Sequence, residues 1–232
     1  MLPVIFLRSI EGNAGSADNA NVGFDIKANL FKSLQLYGQV MIDEMNFSII
    51  KDDNSWWANK TGFQFGLKYI DVAGIKNLDI QAEVNRIRPF TYSHRDTVSA
   101  YTHYNQPLAH PAGANLLEFV GIVRYQPIPK LYLTGKLINY KQGRDSAGYN
   151  FGSDPSRLYN DGRIRDFGYE MFSGIPATTF YGSFMASYEV FENFFVDLTA
   201  SGRAFKMQGN NTNTTVLSFG VRWNMYKRES DY

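Results

Sequence analysis

From residue 21 to residue 30 the apolar side chains fall on every second position. Val22, Phe24, Ile26, Ala28 and Leu30 alternate with Asn21, Gly23, Asp25, Lys27 and Asn29. A period of two places the two sets on opposite faces of an extended chain, whereas a helix repeats about every 3.6 residues. The same pattern predicts strands near 34–43, 61–71, 77–88, 116–125, 131–141, 178–189, 193–206 and 214–226, nine in all. Leu78, Ile80, Ala82 and Val84 against Asp79, Gln81, Glu83 and Asn85 is among the cleanest cases. The strand at 116–125 is mixed, because Val120 and Ile122 share a face with Glu118 and Arg124.

The links between these strands differ in length. Tight turns are predicted at 31–34, 72–76, 126–130 and 190–193, and long polar links at 44–60, 89–115 and 142–177. A shorter polar link at 207–213 runs into an Asn/Thr-rich stretch, 210–215, that reads as a solvated loop. Short ends on one side and long loops on the other describe an antiparallel meander, the arrangement of an outer-membrane barrel. Strict alternation also fits a soluble antiparallel barrel or sandwich.

Three features point to the membrane. Strands of about ten residues, rising ~3.3 Å per residue at a ~40° tilt, span the ~25 Å apolar band of such a barrel. Aromatics gather near the short-turn ends, at Phe31, Tyr69, Tyr125, Tyr132, Tyr188, Phe191, Phe194, Trp223 and Tyr226, as in an interfacial girdle. The polar faces carry charges of both signs, including Asp25, Lys27, Lys68, Asp79, Glu83, Arg86, Glu118, Arg124, Lys136, Asp197, Arg203 and Arg222. A lumen accepts such groups and lipid does not. The expected fold is therefore all-β, an antiparallel transmembrane β-barrel in one domain over 1–232. An odd strand number puts the first strand's start on the long-loop side and the chain's C-terminus on the periplasmic side. This suggests the C-terminal part of a larger barrel, with 3–9 as the end of a preceding strand.

Composition trims the options. The 232-residue chain has 23 Lys and Arg against 22 Asp and Glu, so no basic surface for nucleic acid is expected. It has no cysteine, which excludes disulfides, thiolate metal sites, a Cys nucleophile and a lipidated Cys. The longest apolar runs, Leu2 to Leu7 and Phe119 to Val123, fall far short of the ~20 residues of a membrane helix. Residues 1–10 lack a basic n-region and do not read as a signal peptide.

Candidate chemistry sits in the long links. All 3 histidines, His94, His103 and His110, lie in 89–115. No pair is spaced as i, i+2 or i, i+4, and Asp96 is the single carboxylate beside them, so no metal or cofactor is expected. Pro89, Pro107 and Pro111 stiffen this loop, which suits either a lid in the barrel mouth or a fixed recognition surface. Trp56 and Trp57, next to Asn54 and Asn59, read either as stacking platforms for sugar rings or as anchors of the outer interface. In 142–177, Tyr149, Phe151, Tyr159, Arg163, Arg165, Tyr169 and Phe172 mix aromatics with arginines, which fits packing within the loop or an anionic glycan. No GxSxG, HExxH, phosphate loop or dinucleotide fingerprint is present, and the protein is not expected to be an enzyme.

The runs WWANKTGFQFGLKY (56–69), RIRPFTYSH (86–94) and YTHYNQPLAHPAGANLLEFVGIVRYQP (101–127) resemble the C-terminal barrel region of gliding-motility outer-membrane proteins related to the capsule-assembly Wzi-like family. The resemblance implies an outer-membrane barrel engaged in surface polysaccharide attachment, or in adhesion and motility. The expected partners are outer-membrane lipid and a surface polysaccharide or a motility or secretion protein. The expected contacts are Trp56, Trp57, Tyr101, His103, Tyr104, Asn105, Gln106 and His110. A passive diffusion pore is the second expectation, and an outer-membrane hydrolase the third.

Overall fold

The structure, a computed structural model, describes residues 21–44, 49, 53–104 and 106–224. Its strands are β1 (Val22–Leu30), β2 (Leu34–Glu44), β3 (Lys60–Tyr69), β4 (Leu78–Ile87), β5 (Thr102–His103), β6 (Gln106–Pro107), β7 (Leu116–Ile128), β8 (Leu131–Arg144), β9 (Ile175–Phe191), β10 (Phe194–Met207) and β11 (Asn210–Trp223). β5 and β6 form a small ribbon, and the other nine pair in chain order into one antiparallel sheet. β1 and β11 are the two edges of this sheet. They run in the same direction, because an even number of antiparallel steps separates them.

The turns have local causes. Phe31 (φ 52°) and Lys32 (φ 64°) place two successive residues in the left-handed region, as tight hairpins matching strand twist require. Between β3 and β4, the Asp71 carboxylate accepts the Asn77 amide at 2.6 Å and closes the turn around a short 3₁₀ segment, Val72–Gly74. The last link differs from expectation. Met207 pairs with Asn210, so the solvated loop expected at 210–215 is strand, joined to β10 by a two-residue turn with Gly209 at φ 73°. The run NNTNTT is polar on both faces and carries no alternation to read. Register with the apolar-patterned β10 extends it, and threonine suits extended backbone.

Register sorts the side chains into two faces. Phe24, Phe63, Phe65, Phe119, Leu137, Phe184, Leu198, Leu217 and Phe219 share the outer face, and all of them are exposed. On the other face Gln39, Gln64, Asn85, Glu118, Tyr140 and Thr179 are direct register partners in turn across the sheet, with Glu83 two residues from Asn85 and Arg203 paired with Tyr181. Gln64 of β3 and Arg203 of β10 line one cavity of about 610 Å³, so the sheet curls around a polar trough. Val120 and Ile122 line it with Glu118, as the mixed pattern at 116–125 implies.

Two assignments to faces are corrected. Arg86 pairs with Phe63 and Leu117 on the outer face, because it is two positions from Val84 and not from Glu83. It stands at the loop end of β4, where a long side chain can reach past the apolar band. Tyr132 pairs with Ser187 and packs against Phe195 at 6.1 Å on the trough side, outside the girdle. At the short-turn end Phe191 stacks on Phe194 at 4.4 Å, and Phe194 meets Trp223 edge-on at 6.3 Å. Tyr226 and residues 3–9 lie outside the described residues.

No second layer covers the outer face among the described residues. The buried apolar residues, Ile87, Phe90, Tyr92, Ala114, Leu116 and Tyr169 among them, all cluster where the long links meet the sheet. The packed interior of this protein is its loop cap.

Candidate functional site

The cap is built by 53–59, 88–101, 108–115 and 145–174. Asn115 ties it together from a fully buried position at φ 56°. Its amide donates to Gly143 O at 2.9 Å and Ser173 O at 2.8 Å, and its carbonyl accepts the Phe172 amide at 2.7 Å. Gln142 donates to Ala112 O at 2.7 Å and Ala114 O at 2.9 Å, holding the end of the 88–115 link on β8. A Cβ on Gly152 (φ 72°) would collide with the backbone and ring of Phe90, which is why that approach needs glycine.

Aromatic rings fill the cap. Trp57 meets Tyr159 at 4.5 Å and Phe90 at 5.9 Å, and Phe90 meets Tyr169 edge-on at 5.0 Å. Two cations are embedded with them. Lys60 is fully buried, donates to Ser93 O at 2.9 Å, lies 4.0 Å from the Asp43 carboxylate and sits 4.7 Å above the Tyr159 ring. Arg163 covers Trp57 at 4.1 Å and pairs with Asp166. Arg88 donates to the carbonyls of Asn59 at 2.9 Å and Asn54 at 2.7 Å; burial pulls its guanidinium down to about 10, with Arg86 adding to the effect and Glu170 opposing it. Buried charges fixed by carbonyls and ring faces make the cap one cross-linked unit.

The expected contact residues divide among three places. Trp56 and Trp57 are half-buried and meet edge-on at 6.3 Å, so they are not the adjacent exposed pair the sequence suggests. Trp57 is packed within the cap. Tyr101 leans on Tyr92 at 5.9 Å, and beyond it the β5–β6 ribbon projects His103, Tyr104 and Gln106 outward. Tyr104 is 89% exposed, with its ring 4.4 Å from His103. Asn105 lies outside the described residues. Asp96 folds the base of this segment by accepting the Ser99 amide at 2.9 Å, a bond that holds its carboxyl below the usual range.

His110 points the other way, into the trough. Its Nδ1 accepts the Ala112 amide at 3.1 Å, so the ring proton sits on Nε2, which donates to Glu118 at 2.9 Å. Glu118 also accepts from Asn85 at 2.9 Å. Glu83 accepts from Tyr37 at 2.7 Å and from Asn85 at 2.8 Å. One wall of the trough is therefore a satisfied acidic network. Beside it, on β8 to β10, stand Lys136, Tyr140, Thr179, Tyr181 and Arg203; Tyr140 is the direct register partner of Glu118, and the Thr179 hydroxyl is buried without a hydrogen-bond partner among the described residues. The 88–115 link thus does two things, with Ala109, His110, Pro111 and Ala112 lining the trough and the ribbon facing outward.

Sequence reasoning placed Glu83, Asn85, Glu118, Lys136 and Arg203 on polar faces and chose His110 as a contact, but it did not single out Tyr140, Thr179 or Tyr181. Alternation names a face, while the meeting of β4 with β8 through β10 depends on curvature. No family model, curated protein or solved structure matches the chain.

Proposed function

We propose that this sheet is the wall of an outer-membrane β-barrel whose cap faces outward, with the short turns and the Trp223 end on the periplasmic side. Its role is non-enzymatic engagement of a surface polysaccharide or capsule, or of a motility or secretion partner. The observation that carries the reading is the single-layer sheet, apolar and exposed on one face and charged on the other. A water-soluble sheet buries its apolar face against a second layer, whereas lipid covers such a face without one. Antiparallel closure of the barrel takes an odd number of further strands between β11 and β1, since these run in the same direction. Tyr101, His103, Tyr104 and Gln106 are the contacts offered to a glycan, as aromatic faces beside hydrogen-bonding groups.

Reconstitution into liposomes tests the membrane half: protease is expected to cut within the cap links and spare β7 to β10. Cleavage throughout the strands overturns it. Saturable binding of the producing cell's polysaccharide, lost in Tyr104→Ala/His103→Ala, tests the second half. The polar trough favours one other reading, a diffusion pore, which planar-bilayer conductance separates from a closed, ligand-engaging barrel.

A further inference from the structure

Next to Glu118 in the sheet, the trough surface formed by β8 to β10 carries a further set of donors. Tyr140 stands directly opposite Thr179, and Tyr181 directly opposite both Ile138 and Arg203, so these side chains converge at cross-strand distance on one stretch of wall. Lys136 projects two residues along from Ile138 onto the same cavity. Neither Lys136 nor Arg203 forms a salt bridge among the described residues, although Lys136 attracts Glu118 at longer range, and the Arg203 guanidinium lies 5.5 Å from the Phe205 ring. A ring beneath a guanidinium leaves its in-plane N–H groups free to bond. Thr179 is 3% exposed, lines the cavity, and its hydroxyl has no partner. A buried donor left open in a cavity otherwise rich in paired polar groups marks a place for a ligand atom.

We propose that this wall binds a carboxylated saccharide unit. The two cations receive the carboxylate, Thr179, Tyr140 and Tyr181 meet ring hydroxyls, and the rings of Tyr140 and Tyr181 with Ile138 cover the sugar's apolar face. The satisfied acidic network beside it, with Glu118 next to Tyr140, repels a second anion and orients the ligand's carboxylate toward Arg203. A cavity of about 610 Å³ exceeds what a bare ion fills. The inference rests on the polysaccharide reading above and gives it a ligand class, at a site separate from the exposed ribbon.

The test uses the full chain folded in detergent micelles and titrated by calorimetry with D-glucuronate, D-glucose and inorganic phosphate. Glucuronate is expected to saturate in the low millimolar range, with glucose ~10-fold weaker and phosphate not displacing it. Arg203→Gln/Lys136→Gln is expected to weaken glucuronate ~10-fold or more, and the near-isosteric Thr179→Val ~3-fold. If the double variant does not fold, Thr179→Val carries the comparison alone. Absence of saturable glucuronate binding up to ~10 mM, equal binding of glucose or phosphate, or unchanged affinity in folded variants overturns the site. Polysaccharide capture that persists without glucuronate binding leaves the surface-binding role standing and removes this site. Glucuronate binding without polysaccharide capture does the reverse.

Discussion

The cap and the strand band are held by different physics. In the cap, Asn115, Gln142, Arg88 and Lys60 are buried and bonded from several sides, and aromatic rings fill the space between them. In the band, Phe184, Leu198, Leu217 and Phe219 meet no covering layer among the described residues, and backbone ladders and trough-side contacts hold the strands. The cap carries its own core with it, whereas the band depends on what surrounds its outer face. On the membrane reading proposed above, a change of solvent from lipid to water therefore acts on the band first.

Asn115→Ala breaks the comparison most strongly on the cap side. It leaves the carbonyls of Gly143 and Ser173 and the amide of Phe172 without their side-chain partner. With roughly 1–3 kcal/mol for each buried polar group left unpaired, the cap is expected to lose about 4 kcal/mol. Hydrogen exchange should accelerate across 145–174 and leave β8 to β10 unchanged. Equal acceleration in the strands would mean that cap and band are one cooperative unit.

Phe184→Arg is the matching test of the band. At the middle of a lipid-facing wall an arginine costs about 2–4 kcal/mol, so unfolding from bilayers should shift by that amount. An unchanged midpoint in lipid would remove the membrane assignment. In the trough, Ser183→Thr is expected to stay within about 0.5 kcal/mol, which fixes the sidedness of the effect.

Alkaline pH separates the two regions without mutation. Burial, with the Asp43 carboxylate and Tyr101 nearby, pushes the Tyr92 phenol up to about 12. A folded-state value above the unfolded one contributes stability that is complete below pH ~10 and lost as the pH rises through ~12. The two-unit difference corresponds to about 2–3 kcal/mol. Cap amides such as that of Tyr92 itself, bonded to Asp43 at 3.0 Å, should lose protection in this window. Tyr92→Phe should flatten the loss; a variant that opens as the native chain does would place the titrating group elsewhere.

The contrast also explains what the sequence discloses. Alternation reports a face of a strand, so nine strands and the sidedness of Phe24 or Glu83 are legible from residues alone. It fails where both faces are polar, at Asn210–Thr215, and where a strand end lets a charge onto the outer face, at Arg86. The cap is opaque for another reason. Its order comes from single long-range bonds, such as Asn115 to Ser173 or Arg88 to Asn54, and from Trp57 turning inward. None of these has a period, and the approach of Gln64 on β3 and Arg203 on β10 to one cavity follows from register and curl together.

The smallest expected effect on stability is the sharpest on function. Tyr104 is 89% exposed at φ 47°, and its ring meets the exposed His103. Tyr104→Ala should change unfolding by less than about 0.5 kcal/mol, as surface substitutions away from special contacts do. Aromatic faces presented to a ligand contribute far more to binding than to folding, so capture of the surface polysaccharide should fall at least ~10-fold while glucuronate titration of the trough is unchanged. Loss of both binding activities together would mean that ribbon and trough report one site. Loss of neither would leave the ribbon as a structural tip, and would move the search for the outward contact to Val98 and Leu108, which are also exposed beside it.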